Sequence, residues 1–154
     1  MSQRHLFVAA VTLTVLGCAS MSVTERWEPH AREWRDAFPV ASAAIEISAD
    51  DLEVLDRTPI VRMGSLVVVQ PVELNESEFT QWVNDRAAEI GGTHWMAGDD
   101  LQAMGAEALA AKSWLGDVRI EERDRRDGAT LFVVFQVRRS RWLDLPEPLQ
   151  PTPR

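Results

Sequence analysis

The sequence predicts an α+β domain, a mixed sheet of about five strands carrying two main helices, with a strand–helix–strand unit followed by a helix and a C-terminal hairpin. Three observations lead there. Residues 66–69 read Leu-Val-Val-Val, apolar at every position, as an interior strand needs when both its faces are covered. Phe79, Val83, Ala87 and Ile90 recur at helical period behind Asn75-Glu76-Ser77-Glu78, which has the form of a capping box. Late in the chain, Leu131, Val133, Phe135 and Val137 point one way and Phe132 and Val134 the other, the pattern of a central strand.

The N-terminus supplies an address. Residues 1–5 are polar and carry Arg4, residues 6–16 are free of charge, and Gly17, Cys18, Ala19 and Ser20 are small. A basic start, a short apolar run and a small-residue exit are the parts of a secretory signal, and the run is shorter than the ~20 residues a membrane span needs. Residues 1–17 are therefore expected to be a cleaved leader, 18–28 a tether, 29–142 the folded domain and 143–154 an unpacked proline-rich tail with Pro146, Pro148, Pro151 and Pro153. The stretch Val15-Leu16-Gly17-Cys18 resembles the lipobox of bacterial lipoproteins, with Leu16 standing where a smaller residue is usual. That resemblance implies lipidation at Cys18 and cleavage before it. Ala19, which is not an aspartate, implies by the same resemblance an outer-membrane anchor facing the periplasm. The alternative is a protein secreted free into the periplasm.

Within the domain, Pro29 opens a predicted helix over 30–38, with Ala31, Trp34 and Phe38 on one stripe and Pro39 as its stop. Two short extended segments are expected over 43–47 and 52–55, bent at Asp50-Asp51, then a strand over 65–72. The capped helix ends at Gly91-Gly92, and 93–97 is the next strand. Strand, helix and strand should make a crossover between parallel strands. A second helix is predicted over 99–115, interrupted only by the weak former Gly105, and a hairpin over 118–123 and 130–139 around Asp127-Gly128.

Composition bears on function. The 154 residues carry a formal charge of −8, and loss of the leader leaves 15 basic against 24 acidic side chains, or −9. Such a body repels phosphate polyanions, so a nucleic acid is not expected as partner. With Cys18 the one cysteine, no internal disulfide can form. Only His30 and His94 remain beyond the leader. His30 and Glu33 could share a helix face, but a transition-metal site takes three or four ligands, and no metal is expected. His94, in Gly91-Gly92-Thr93-His94-Trp95 with Asp99 and Asp100 following, is the one candidate base. It lacks a nucleophile elbow and oxyanion donors, so no catalytic residue is assigned. The pairs Asp50-Asp51, Asp99-Asp100 and Glu121-Glu122 are neighbours that diverge on any regular element. With no glycine-rich phosphate loop, no cofactor is expected. Six tryptophans are many for this length. Trp82, Trp95 and Trp114 suit packing on the sheet, while Trp142, beside Arg138, Arg139 and Arg141, borders the tail. His94, Trp95 and Trp142 are the surface candidates for a partner.

The helix ending Ala87-Ala88-Glu89-Ile90-Gly91-Gly92-Thr93-His94, followed by a short strand, together with the entry Met63-Gly64-Ser65-Leu66, loosely resembles small outer-membrane lipoproteins of the Rcs stress-sensor type. The resemblance spans about residues 44–139 and carries class and location, with no functional residues. The lipid-type address, the acidic body and the lack of a reactive constellation lead to the expectation of a non-enzymatic binding, support or sensing role, with a membrane reached through the lipid and another envelope protein or a cell-wall component as partner. The alternative is a periplasmic hydrolase or small-ligand binder using the region around His94.

Overall fold

The computed structural model describes residues 23–112, 114–115 and 122–154. Five strands, β1 (Thr24–Pro29), β2 (Ile45–Glu46), β3 (Ile60–Val69), β4 (His94–Ala97) and β5 (Ala129–Val137), form one mixed sheet in the order β1-β3-β5-β4-β2. The α+β class expected from the sequence is what the chain adopts. β5 is central and antiparallel to both β3 and β4, while β2 runs parallel to β4. β3 and β4 are thus parallel to one another, joined by the expected crossover helix, with β5 inserted between them.

That helix, α2 (Glu76–Glu89), is the most locally determined element. Asn75 Oδ1 accepts from the Glu78 amide at 3.0 Å, and Glu78 Oε2 accepts in return from the Asn75 amide at 3.0 Å. At its other end Gly91 adopts φ +96°. The Gly91 amide donates to Ala88 O and the Gly92 amide to Ala87 O, closing the last turn. Gly92 also has no room for a Cβ, which would lie 2.4 Å from Val134 Cγ1. Phe79, Val83, Ala87 and Ala88 press on one sheet face against Leu66, Val68, Trp95, Phe132 and Val134.

The opposite face is covered by α1 (Ala49–Leu55), α3 (Gly98–Ala103) and the C-terminal segment, which bring Leu52, Leu55, Leu101, Trp142, Leu145 and Leu149 onto Val67, Met96, Val133 and Phe135. An irregularity between Arg62 and Gly64 adds Met63 to β3. The extra residue shifts the alternation, so Ile60 and Val67 serve one face while Met63, Leu66 and Val68 serve the other.

Several expectations are corrected. Residues 24–28 of the expected tether belong to β1, which runs on to Pro29, an edge strand so close to β3 that a Cβ on Gly64 would meet Glu28 O at 2.3 Å. The helix expected over 30–38 is a single 3-10 turn at Arg32–Trp34, and Phe38 is 85% exposed. Pro39 leaves too few residues for a helix to propagate. Residues 52–55 belong to α1, because Ser48 and Asp51 make a capping box that starts a helix ahead of them. The helix expected over 99–115 breaks at Gly105, φ +88°, into α3 and α4 (Ala106–Ala110). Of the strand expected over 118–123, residues 118–121 lie outside the described residues, and 122–123 belong to α5 (Glu122–Arg126), an all-charged run. The tail is not unpacked. It folds into two 3-10 turns, Arg139–Asp144 and Glu147–Leu149, buries Leu145 and Leu149, and returns to pair Pro153 with Ala41. Its prolines restrict the backbone, which lowers the entropy lost when Leu145 and Leu149 dock. Leu149→Ala should therefore cost about 2–5 kcal/mol in a urea-unfolding measurement, where an unpacked tail would leave stability unchanged.

Candidate functional site

His94 starts β4 between Ile45 of β2 and Phe135 of β5, in the middle of the sheet, and has no solvent exposure. Its Nε2 lies 2.9 Å from the carbonyl of Leu149, which can only accept, so Nε2 carries the proton. Nδ1 then accepts, taking the hydroxyl proton of Thr93 at 2.8 Å. The Thr93 oxygen in turn accepts from the Val137 amide at 2.9 Å. The alternative acceptor for that hydroxyl, Phe135 O, is 3.5 Å away. A continuous chain thus runs from β5 through Thr93 and His94 to the C-terminal segment. Burial lowers the imidazole pKa below its ordinary 6.5, against smaller opposing effects of the Leu149 carbonyl and Asp51. With both nitrogens engaged and water excluded, His94 is a neutral structural bracket and is not placed to act on a substrate.

The two tryptophan candidates share this fate. Trp95 faces α2, donates to Asn84 Oδ1 at 2.8 Å and meets Phe132 edge-on at 5.2 Å. Trp142 donates to Val137 O at 2.9 Å beneath the opposite face. All three candidates are corrected from surface to core, because each polar atom that made them look functional has a protein partner. Of the other tryptophans, Trp82 stacks on Phe79 of the same helix, and Trp114 meets Phe135 of β5 edge-on. Cys18 lies outside the described residues. Among the described residues no three His, Cys, Asp or Glu side chains converge as a metal would require, and His30 is exposed.

The structure also assembles a charged cluster with no signature in the sequence. Lys112, only 5% exposed, reaches Asp56 at 3.1 Å and Glu53 at 3.3 Å. Trp114 Nε1 donates to Asp56 at 2.7 Å, and this bond, ahead of the one from Lys112, holds the Asp56 carboxyl below its usual range. Burial opposes the lysine's charge, yet the two carboxylates outweigh it and raise its pKa. Nearby, Arg62 donates to Leu115 O at 2.6 Å and to Ser65 Oγ at 3.3 Å. At the other end of the sheet, Arg26 grips Asp124 at 2.8 Å and ties α5 to β1. Apart from Arg62 and Ser65, three residues apart, these partners stand 53 to 98 residues apart, so no local spacing announces them. They join elements that are distant in the chain.

Open depressions exist on the surface. The two at the Pro59 end of the sheet measure about 410 and 260 Å³. A third, of about 300 Å³, lies beside Arg26 and Asp124.

No protein-family model matches this chain, and no curated protein or solved structure matches it significantly.

The His94 bracket makes stability depend on pH. The folded imidazole stays neutral below 6.5 while the unfolded one takes up a proton, so stability present above 6.5 is lost as pH falls toward the depressed folded value. The slope approaches ~1.4 kcal/mol per pH unit at most. Urea midpoints measured between pH 7.5 and 5.5 should fall more steeply for the wild type than for His94→Gln, whose side-chain amide can still donate toward Leu149.

Proposed function

We propose that this protein is a lipid-anchored component of a bacterial envelope, whose folded body binds or supports another envelope component without chemistry of its own. The observation that carries the reading is the N-terminal sequence: Arg4, an uncharged run over 6–16, then Gly17-Cys18. Each buried methylene of an attached acyl chain contributes ~0.8 kcal/mol, and more than one chain is needed for stable anchoring. The body is compatible with such an arrangement. β1 starts at Thr24, so residues 19–23 would link lipid to sheet over at most ~20 Å. No described helix is long and apolar enough to cross a membrane. Outer-membrane placement facing the periplasm follows the same resemblance through Ala19. The competing reading, hydrolysis or ligand binding centred on His94, draws no support from a ring that is buried and doubly bonded.

Cells given an alkyne fatty acid should incorporate it into the wild-type protein, which should partition into detergent phase. Cys18→Ser should lose both the label and the partition. Recovery of unlabelled wild-type protein from the soluble fraction overturns the proposal.

A further inference from the structure

The sheet has two unlike ends. β3 begins at Ile60, opposite the end of β5 at Val137, and finishes at Val69, opposite Thr24 of β1 and Ala129 of β5. Around the Ile60 end, the loop leaving α1 and the segment leaving β5 form two depressions that share Pro59. Arg57 and Arg141 line one, Arg138 and Arg139 the other. The acid in their lining is Asp144, already held by Arg141 at 3.1 Å. The groove therefore has an excess of three positive charges, on a chain whose formal charge is −8.

These arginines differ from those that build the fold. Arg26 and Arg86 each grip a carboxylate, at 2.6–2.8 Å. Arg57 and Arg138 are exposed and, among the described residues, have no side-chain hydrogen bond or ion pair, and Arg139 lies 5.9 Å over the Trp142 ring. Apolar side chains stand exposed in the same lining: Val54 at 42% and Val61 at 46%. Guanidinium forks beside exposed apolar groups match a chain that alternates carboxylates with apolar residues, since each fork can take a carboxylate through two parallel hydrogen bonds.

We propose that the groove around Pro59 is a docking surface for an acidic polypeptide segment bearing apolar side chains. Charge complementarity selects the occupant. A nucleic acid would meet the four arginines but also the repulsion of the acidic remainder. Phospholipid headgroups are disfavoured by position, an argument that rests on the anchored reading above. The chain enters the sheet at Thr24, beside Val69, and the groove lies the length of β3 away, ~30 Å at ~3.3 Å per residue. That is several times the ~8 Å over which charge is felt at physiological salt. The anchored body would present this end outward, toward a partner in the periplasm.

The test uses full-length Cys18→Ser protein, which carries no lipid at that position whatever the fate of the leader, so its result stands apart from the anchoring experiment. The probe is a fluorescein-labelled Leu-Glu-Glu-Leu-Glu-Glu peptide read by fluorescence anisotropy. Saturable binding is expected, weakening as salt rises. It should fall about tenfold or more when Arg138→Glu and Arg139→Glu are combined, and also in Arg57→Glu. Arg123→Glu, at the opposite end of the sheet, should change it less than twofold. Thermal unfolding of each variant confirms that the body is intact. Absence of saturable binding up to about 1 mM peptide overturns the proposal, as does equal loss in Arg123→Glu. Groove-dependent binding to phosphatidylglycerol vesicles that exceeds peptide binding overturns it in favour of a lipid surface.

Discussion

β5 must be buried on both faces at once, and the rest of the molecule is arranged around that requirement. Leu131, Val133, Phe135 and Val137 face one layer while Phe132 and Val134 face the other. Burying each such side chain stabilises by roughly 1.5–3 kcal/mol, but only if cover exists on that side. α2 covers one face, with Ala44 and the half-buried Trp34 and Ala37 packed beside it. Among the described residues the other face has no comparable helix, and is closed by short pieces that include α1, α3, Trp114 and Leu115, and the C-terminal segment. The last of these is held by the Thr93–His94–Leu149 chain of hydrogen bonds, which ties the sheet to its cover.

This arrangement accounts for the residues that look functional when read in sequence. A histidine after two glycines suggests a reactive loop, and tryptophans near a chain terminus suggest a contact surface. Here the glycines are needed by the helix end and by the close approach of Val134. The histidine then enters the sheet, where a buried ring with two polar atoms must satisfy both. Trp95 and Trp142 resolve the same demand through Asn84 and Val137. Function, on the reading developed above, falls to the leader and to a groove of exposed arginines. The half-buried charge pairs Lys112–Asp56 and Arg26–Asp124 join elements to one another, and each cation has a second carboxylate beside it, Glu53 and Glu28.

The legible elements were those specified within a few residues. α2 has its cap, its period and its glycine stop inside one stretch, and its limits fall where those signals place them. The alternation of β5 identified both of its faces and its central place. Where local signals were weak, the reading slipped. Leu52-Glu53-Val54-Leu55 is too short to separate strand from helix by period, and the Asp of the Ser48 box disguised a helix start as a bend. In Glu122–Arg126 no apolar residue marks a face at all. Trp142 was singled out from the sequence, but for a surface role, and Arg138, Arg139 and Arg141 beside it gave no sign that Arg57 would join them across Pro59.

By itself, the sequence determined the α+β class, the crossover helix and the two-faced central strand, because period and capping are properties of neighbouring residues. It also supplied the leader pattern that any account of location must start from. Only the tertiary structure decided that residues 24–29 extend the sheet, that the proline-rich end is a lid on the core, and that His94 is sealed beneath it. Those outcomes depend on which distant segment offers an unpaired edge or an uncovered apolar face, and contacts across 35 to 110 residues leave no spacing in the chain to read.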